Sequence, residues 1–385
     1  MELFGNFTFF GIAALVAIPA VVLGIKEKSL KYYTFFASLF FIWLAMGAHT
    51  KALIYLTVFC LLEYAIVGGY LYLRKKYGRK ESIYWCFLLL SITPLTISKI
   101  SGFLDMHIFG FLGISYLTFK ATQMVIEIYD GIIKQASAFE FASFLLFFPA
   151  ITSGPIDRSR RYSQNLNSIM PKNEYLELLG EGLYKIVKGM VYKFVIASTF
   201  YQGMLWLGMA HTFKNALVYM YCYGFYLFFD FAGYSAMAIG ISYLFGIRTP
   251  ENFKAPFVSK DIKEFWNRWH ITLSYWFRDF VFSRLVMRAI KKKWFKAKLT
   301  AASWCFIINM TIMGLWHGLD SYYILYGLYH GVLLALTEIY QKRSYFHKKH
   351  KKDRWYQFVS WFITFNLVMF GFFIFSGRFT TLLGF

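Results

Sequence analysis

The stretch EFWNRWHITLSYWFRDF (264–280), followed by a basic knot RAIKKKWFKAK (288–298) and then SWCFIINMTIMGLWHGLDSYYILYGLYHG (303–331), decides how this chain is read. Imidazole, indole and guanidinium groups stand there in sequence otherwise apolar enough to sit in lipid. Ionisable groups at membrane depth are expensive, so each is a candidate functional group. From 262 to 288 the aromatic pattern is interrupted by Glu264, Arg268, His270, Arg278, Asp279 and Arg284. That is too many charges for a lipid-facing span, and a re-entrant or cavity-lining helix is expected.

The apolar character extends in both directions. Of 385 residues, 58% are hydrophobic and 22% aromatic, with a mean hydropathy of +0.46. Soluble domains are about 45–50% apolar. A hydrocarbon core of about 30 Å needs roughly 20 apolar residues per helix, which leaves room for about ten or eleven membrane-embedded segments. Lipid admits only helices or closed barrels. The apolar runs are long and rarely alternate, so an all-α polytopic membrane protein is predicted.

Net charge is +21, from 41 Lys and Arg against 20 Asp and Glu. The cations cluster between apolar runs, at KEKSLK (26–31), RKKYGRK (74–80), KKKWFKAK (291–298) and KRSYFHKKHKKDR (342–354). That is the pattern of cytoplasmic loops facing anionic lipid, which favours a bilayer over nucleic acid as partner. Threading the runs through a plasma membrane puts both termini outside. The N-terminal apolar run lacks a basic leader and a small-residue cleavage site, and reads as a retained first span. The four cysteines lie in apolar runs with no CxxC spacing, so neither a disulfide framework nor a zinc site is suggested.

The expected spans are 7–25, 32–48, 52–73, 82–100, 219–245, 299–316, 322–340 and 355–375, with a long helix over 174–208. The run 109–128 carries Lys120 and Glu127 and belongs in the interface or inside the bundle. In FLLFFPAITSGPIDRSRRY (144–162) the SGP triplet breaks the helix, and Ser153, Asp157 and Arg158 sit on irregular backbone. That backbone lines a cavity or forms an ordinary cytoplasmic loop. Asp230, among aromatics in LFFDFAGYS (227–235), must be paired or protonated if buried. Structural pairing and a tunnel-lining role both fit.

His317 lies at a predicted helix end between Trp316 and Gly318. Burial tends to keep an imidazole neutral. A neutral imidazole can take a proton from a hydroxyl as that hydroxyl attacks an acyl group. A thioester donor is already activated and needs no enzyme nucleophile, and no GxSxG elbow is present. His270, in WNRWH, could orient the acyl group or the His317 ring, or could bond backbone. His330 suits packing, and the three histidines have no metal-pair spacing. His347 and His350 belong to the basic loop, while His49, His107 and His211 stand at span ends without a specific signal.

These residues fall in motifs that resemble the membrane-bound O-acyltransferase (MBOAT) family: FLGISYLTFKA (111–121), FFPAITSGPIDRSRRY (147–162), YGFYLFFDFAGYS (223–235), ENFKAPFVSKDIKEFWNRWHITLSYWFRDFVF (251–282), INMTIMGLWHG (308–318) and YGLYHG (326–331). They run in order over most of the chain, and the extended WNRWH block is similar to the branch that D-alanylates teichoic acid. The resemblance implies one membrane domain over 1–385, with N-terminal spans in 1–105, a core in 106–341 and a basic loop and last span in 342–385. It implies a ring of about eleven helices around a central tunnel and funnel meeting near His317, with His270 as the second motif histidine. Trp266, Asn267, Arg268, Trp269, Trp316, Asp230, Ser153, Asp157 and Arg158 would line the passage.

The donor implied is D-alanine held as a thioester on the phosphopantetheine arm of an acidic, DltC-like carrier protein, with no tightly bound cofactor and no metal. The carrier would dock around Val286, Arg288, Lys291, Lys292, Lys293 and Phe295, where a basic, partly apolar surface suits an acidic partner. The same surface would also suit lipid headgroups. DltD-like and DltX-like membrane partners and a teichoic acid acceptor complete the implied set. Counting helices puts His317 toward the outer side, so the arm would need a locally thin wall, as Pro149 and Pro256 could provide. Acetylation of an extracellular polysaccharide, as in alginate-modifying relatives, and non-enzymatic transport or lipid translocation stay open. No internal repeat is present, which weighs against a secondary transporter.

Overall fold

The computed structural model describes residues 2–106, 108–207 and 212–382. His107 and His211 lie outside them. The described residues contain helices and no strand, and divide into two compact units.

The first unit comprises Met1–Val191 and Gly233–Glu251. Its helices are α1 (Phe7–Ile25), α2 (Lys31–Met46), α3 (Thr50–Tyr77), α4 (Glu81–Phe103), α5 (Ile114–Tyr129), α6 (Ala138–Leu145), α7 (Ser159–Asn167) and α8 (Lys172–Met190). Asn6 starts α1 by accepting from the Phe9 amide at 2.9 Å, satisfying one of the free donors of the first turn. Helix α1 buries Ala13, Ala17 and Ala20 and leaves Leu15 and Ile18 exposed, as a lipid-facing helix does.

Helix α5 differs, because residues 116–128 are buried all round. Its Lys120 Nζ donates to the carbonyls of Phe144 at 2.9 Å and Leu145 at 3.3 Å. Those carbonyls end α6 and have no intrahelical partner, so a buried ammonium caps them. The 147–158 loop closes tightly on α5. A Cβ on Gly113, whose φ is +91°, would meet the Ile151 carbonyl oxygen at 2.2 Å. Glycine also governs the contact of α8 with 233–251: a Cβ on Gly182 would lie 2.8 Å from the Gly240 carbonyl oxygen, and one on Gly189 2.6 Å from that of Gly233.

The second unit comprises Tyr192–Ala232 and Asn252–Phe385. A π-helical segment, Val191–Ala197, leads into α9 (Ser198–Leu207), so the long helix expected over 174–208 changes winding midway. Next come α10 (Phe213–Leu244), which continues into the first unit, α11 (Ile262–Trp266) and α12 (Ile271–Phe277). A second π segment, Arg278–Phe282, precedes α13 (Ser283–Lys291), α14 (Lys298–His317), α15 (Ser321–Arg343), α16 (Tyr345–His350), α17 (Arg354–Phe375) and α18 (Arg378–Leu382). Helices α14 and α15 form a hairpin held at glycine distance. Cβ atoms on Gly314 and Gly327 would meet the carbonyl oxygens of Tyr323 at 2.4 Å and Met310 at 2.5 Å. Backbones approach this closely only with small residues between them.

Among the described residues, six helices are long and apolar enough to span a bilayer: α1, α3, α4, α10, α14 and α17. The chain is a polytopic membrane protein, and these six helices do not by themselves establish a ring of about eleven. Expected span 32–48 is the 16-residue α2, and 109–128 is the enclosed α5. The re-entrant or cavity-lining helix expected over 262–288 is broken at 267–270 and again in winding at 278–282.

Candidate functional site

The second unit carries all three motif histidines. His270 sits in the turn between α11 and α12 with φ +42° and is 3% exposed. A non-glycine residue in this region is strained by about 1–3 kcal/mol and needs surrounding contacts to hold it. Asn252 supplies them. Its carbonyl accepts from the Ile271 amide at 2.9 Å, and its side-chain oxygen accepts from the Thr272 hydroxyl at 2.9 Å and amide at 3.3 Å. The Lys254 amide donates to the Arg268 carbonyl at 2.9 Å, pinning the other side of the turn.

The His270 ring meets Phe231 edge-on, with centroids 4.7 Å apart. Its Nε2 is buried with no hydrogen-bond partner among the described residues. Burial holds the imidazole well below its ordinary pKa, and the neighbouring His317 lowers it further. His270 is therefore neutral at working pH.

His317 is the last residue of α14 and is half-buried. Phe375 packs edge-on at 5.0 Å, Trp316 at 4.6 Å, and Tyr323 stacks at 6.1 Å between centroids. His330 is fully buried between the Trp266 ring, 5.2 Å away and edge-on, and Gly371 of α17. A Cβ on Gly371 would lie 2.5 Å from His330 Nε2, so this glycine makes room for the ring. Both ring nitrogens of His330 are buried with no hydrogen-bond partner among the described residues.

A cavity of about 210 Å³ runs beside α14, lined in part by Trp266, Asn267, Ser274, Tyr275, Asn309 and Met313. Asn309, Met313 and His317 are spaced four residues apart on one helix face, so the wall leads toward the catalytic candidate over about 12 Å. Two polar groups at this wall are buried with no partner among the described residues: Trp266 Nε1, a donor, and Asn309 Oδ1, an acceptor. Native proteins rarely leave such groups unpaired without a use for them.

The other expected lining residues have their own contacts within each unit. Trp269 is a core residue, 4.7 Å from Phe372 and 5.1 Å from Phe253 between centroids. Arg268 binds Glu264 at 2.8 Å and the Lys254 carbonyl at 3.2 Å. Asp230 pairs with Lys193 of the π segment, so the pairing alternative is realised. Ser153, Asp157 and Arg158 belong to the first unit. There Asp157 accepts from Arg161 Nε at 2.7 Å and from the Arg158 amide at 2.6 Å, while burial raises its pKa against the pull of Arg161.

In the basic knot, Lys291, Lys292 and Lys293 are exposed and Arg288 is half-buried. Val286 and Phe295 pack inward on Ala289, Ala301 and Cys305. Met287, Ile290 and Trp294 face outward instead, at 63%, 42% and 47% exposure. The period of α13 carries that distinction, and it was legible only once the helix boundary was fixed. Asn309 and Asn252 were not singled out from the sequence either, since nothing local distinguishes either residue from other buried amides.

The chain matches the membrane-bound O-acyltransferase family over residues 73–379 and belongs to it. It is an acyltransferase of the membrane-bound class. It is 40% identical to the teichoic acid D-alanyltransferase of Bacillus subtilis (strain 168), covering 98% of both chains. Against the teichoic acid D-alanyltransferase of Streptococcus thermophilus it is 39% identical over 98% of this chain and 95% of the other. A probable alginate O-acetylase AlgI of Pseudomonas fluorescens is 33% identical over 72% of this chain and 53% of its own.

Proposed function

We propose that this protein is a plasma-membrane D-alanyltransferase acting on teichoic acid. D-Alanine arrives as a thioester on the phosphopantetheine arm of an acidic, DltC-like carrier and leaves as an ester on a teichoic acid hydroxyl. The observation that carries this reading is the cavity lined by Asn309 and Met313, on the face of α14 that ends at His317, with its unpaired donor and acceptor. An arm with amide groups along its length could satisfy both. The near full-length identity to two teichoic acid D-alanyltransferases supports the same substrate.

In this mechanism the His317 imidazole accepts the hydroxyl proton as the oxygen attacks the thioester carbonyl. The tetrahedral intermediate collapses, the C–S bond breaks, and the imidazolium returns its proton to the departing sulfur. General base catalysis of this kind contributes about 10²–10⁴-fold. His270, held in a strained turn beside His317, positions that ring or the acyl group. The carrier docks on the basic face with Met287, Ile290 and Trp294 at its centre and Lys291 to Lys293 around them. DltD-like and DltX-like membrane proteins assist acceptance on the outer side, where both termini of this chain lie.

His317→Ala should abolish D-alanine ester formation on teichoic acid while the protein still inserts and elutes folded. Near-normal ester content would overturn the assignment. Supplying carrier-bound D-alanine or acetyl groups, each labelled, tests the donor; preferential transfer of acetyl would favour the alginate-type reaction instead.

A further inference from the structure

Away from this site, the second unit holds a larger groove of about 620 Å³ between α15 and α17. Volumes of about 300–1,000 Å³ are typical of ligand sites. Its deep part is hydrocarbon. Leu333 and Leu336 line it from α15, and Val359, Ile363 and Leu367, at four-residue spacing, line it from α17. The α17 stripe makes a trough about 12 Å long.

The chemistry changes at one end of the trough. Lys260, His347 and Lys351 stand at that mouth with Gln357 and Ser360. Lys260 Nζ donates to the neutral Gln357 Oε1 at 2.9 Å. His347 Nδ1 is 2.8 Å from the Tyr356 hydroxyl. Two carboxylates also line the mouth, and both are engaged elsewhere: Glu264 by Arg268 at 2.8 Å, and Asp261 by the Gln341 amide at 2.9 Å and the Glu264 backbone amide at 2.8 Å. Lys348, Lys349 and Lys352 add to the field from α16 and the turn after it. Trp355, Tyr356 and Tyr340 ring the same end, the residue types that settle at a membrane–water boundary.

We propose that this groove is a binding site for one anionic glycerophospholipid, its phosphate held by Lys260 and Lys351 and one acyl chain laid along Val359, Ile363 and Leu367. Basic pockets between membrane helices bind such headgroups by charge, and hydrocarbon walls select a molecule that carries a chain beside that charge. A soluble polyanion would leave the trough empty. A partner's membrane helix would fill the trough without needing the cations. The groove is distinct from the cavity lined by Asn309 and Met313, so the proposal stands or falls independently of the transfer reaction.

The test is native mass spectrometry of the full chain in neutral detergent, titrated with phosphatidylglycerol or phosphatidylcholine of identical chains. One phosphatidylglycerol per chain should be retained in preference to phosphatidylcholine. Lys260→Gln with Lys351→Gln, both exposed positions, should weaken phosphatidylglycerol retention about tenfold or more and leave phosphatidylcholine unchanged. Leu336→Trp should reduce retention of both lipids by filling the trough. Lys75→Gln with Lys76→Gln, in another basic cluster, should change neither. Retention that survives the first two variants, or that falls equally in the last, would overturn the proposal. So would a co-purifying polypeptide released by Leu336→Trp, which would make the trough a helix-docking surface.

Discussion

Replacing Asn309 by leucine should move stability and transfer in opposite directions. Asn309 Oδ1 is buried with no partner among the described residues, and its Nδ2 reaches only the Met310 sulfur, at 3.9 Å. A buried polar group left unsatisfied costs about 1–3 kcal/mol. Leucine has a similar shape and no polar atoms, so Asn309→Leu should return up to about that much to the resting enzyme. At about 2 °C per kcal/mol for a chain of this size, the melting midpoint should rise by a few degrees. The donor arm loses a hydrogen bond worth about 0.5–1.5 kcal/mol, a weakening of roughly 2- to 12-fold. Thermal dispersal in detergent reads the first quantity, and initial D-alanylation rates against carrier concentration read the second. The loss should lie in KM more than in kcat, because the contact is made before the chemistry. A variant that melts lower while keeping its KM would refute the argument, since Asn309 would then be an ordinary structural amide.

Three shorter predictions concern His270 and Asp230. Asparagine tolerates the left-handed backbone, so His270→Asn should fold normally yet lose most transfer; full activity would exclude a role for the ring. The same variant tests the pH behaviour. The folded pKa of His270 is depressed, so the stability it contributes is present above the unfolded value near 6.5 and is lost as pH falls from there toward the folded value. Melting midpoints between pH 8 and pH 5 should therefore fall more steeply in the parent than in His270→Asn, and equal slopes would count against the depressed pKa. Asp230 is about a third exposed in its pair with Lys193, and Asp230→Asn should cost no more than about 1 kcal/mol and leave transfer intact; a large activity loss would restore the tunnel-lining role.

Much of the architecture was written locally. Span positions follow from the length of apolar runs, because a bilayer of fixed thickness demands about 20 residues whatever surrounds them. The position of His317 at the end of an apolar helix was legible from the run that precedes it, and α14 does end there; the basic loops were legible because charge cannot hide in lipid. Long-range contacts decided the rest. Lys120 looks misplaced in an apolar helix until α6 is found to end its carbonyls against it. The WNRWH stretch reads as one helix until Asn252 is found to take the Ile271 and Thr272 donors that open α12 after the break at 267–270. Asn309 gains meaning only from the cavity it faces. In each case the sequence determined which groups are present and how far along a helix they stand. Tertiary structure alone decided which of them meet, because a buried polar group takes its energy from partners many residues away.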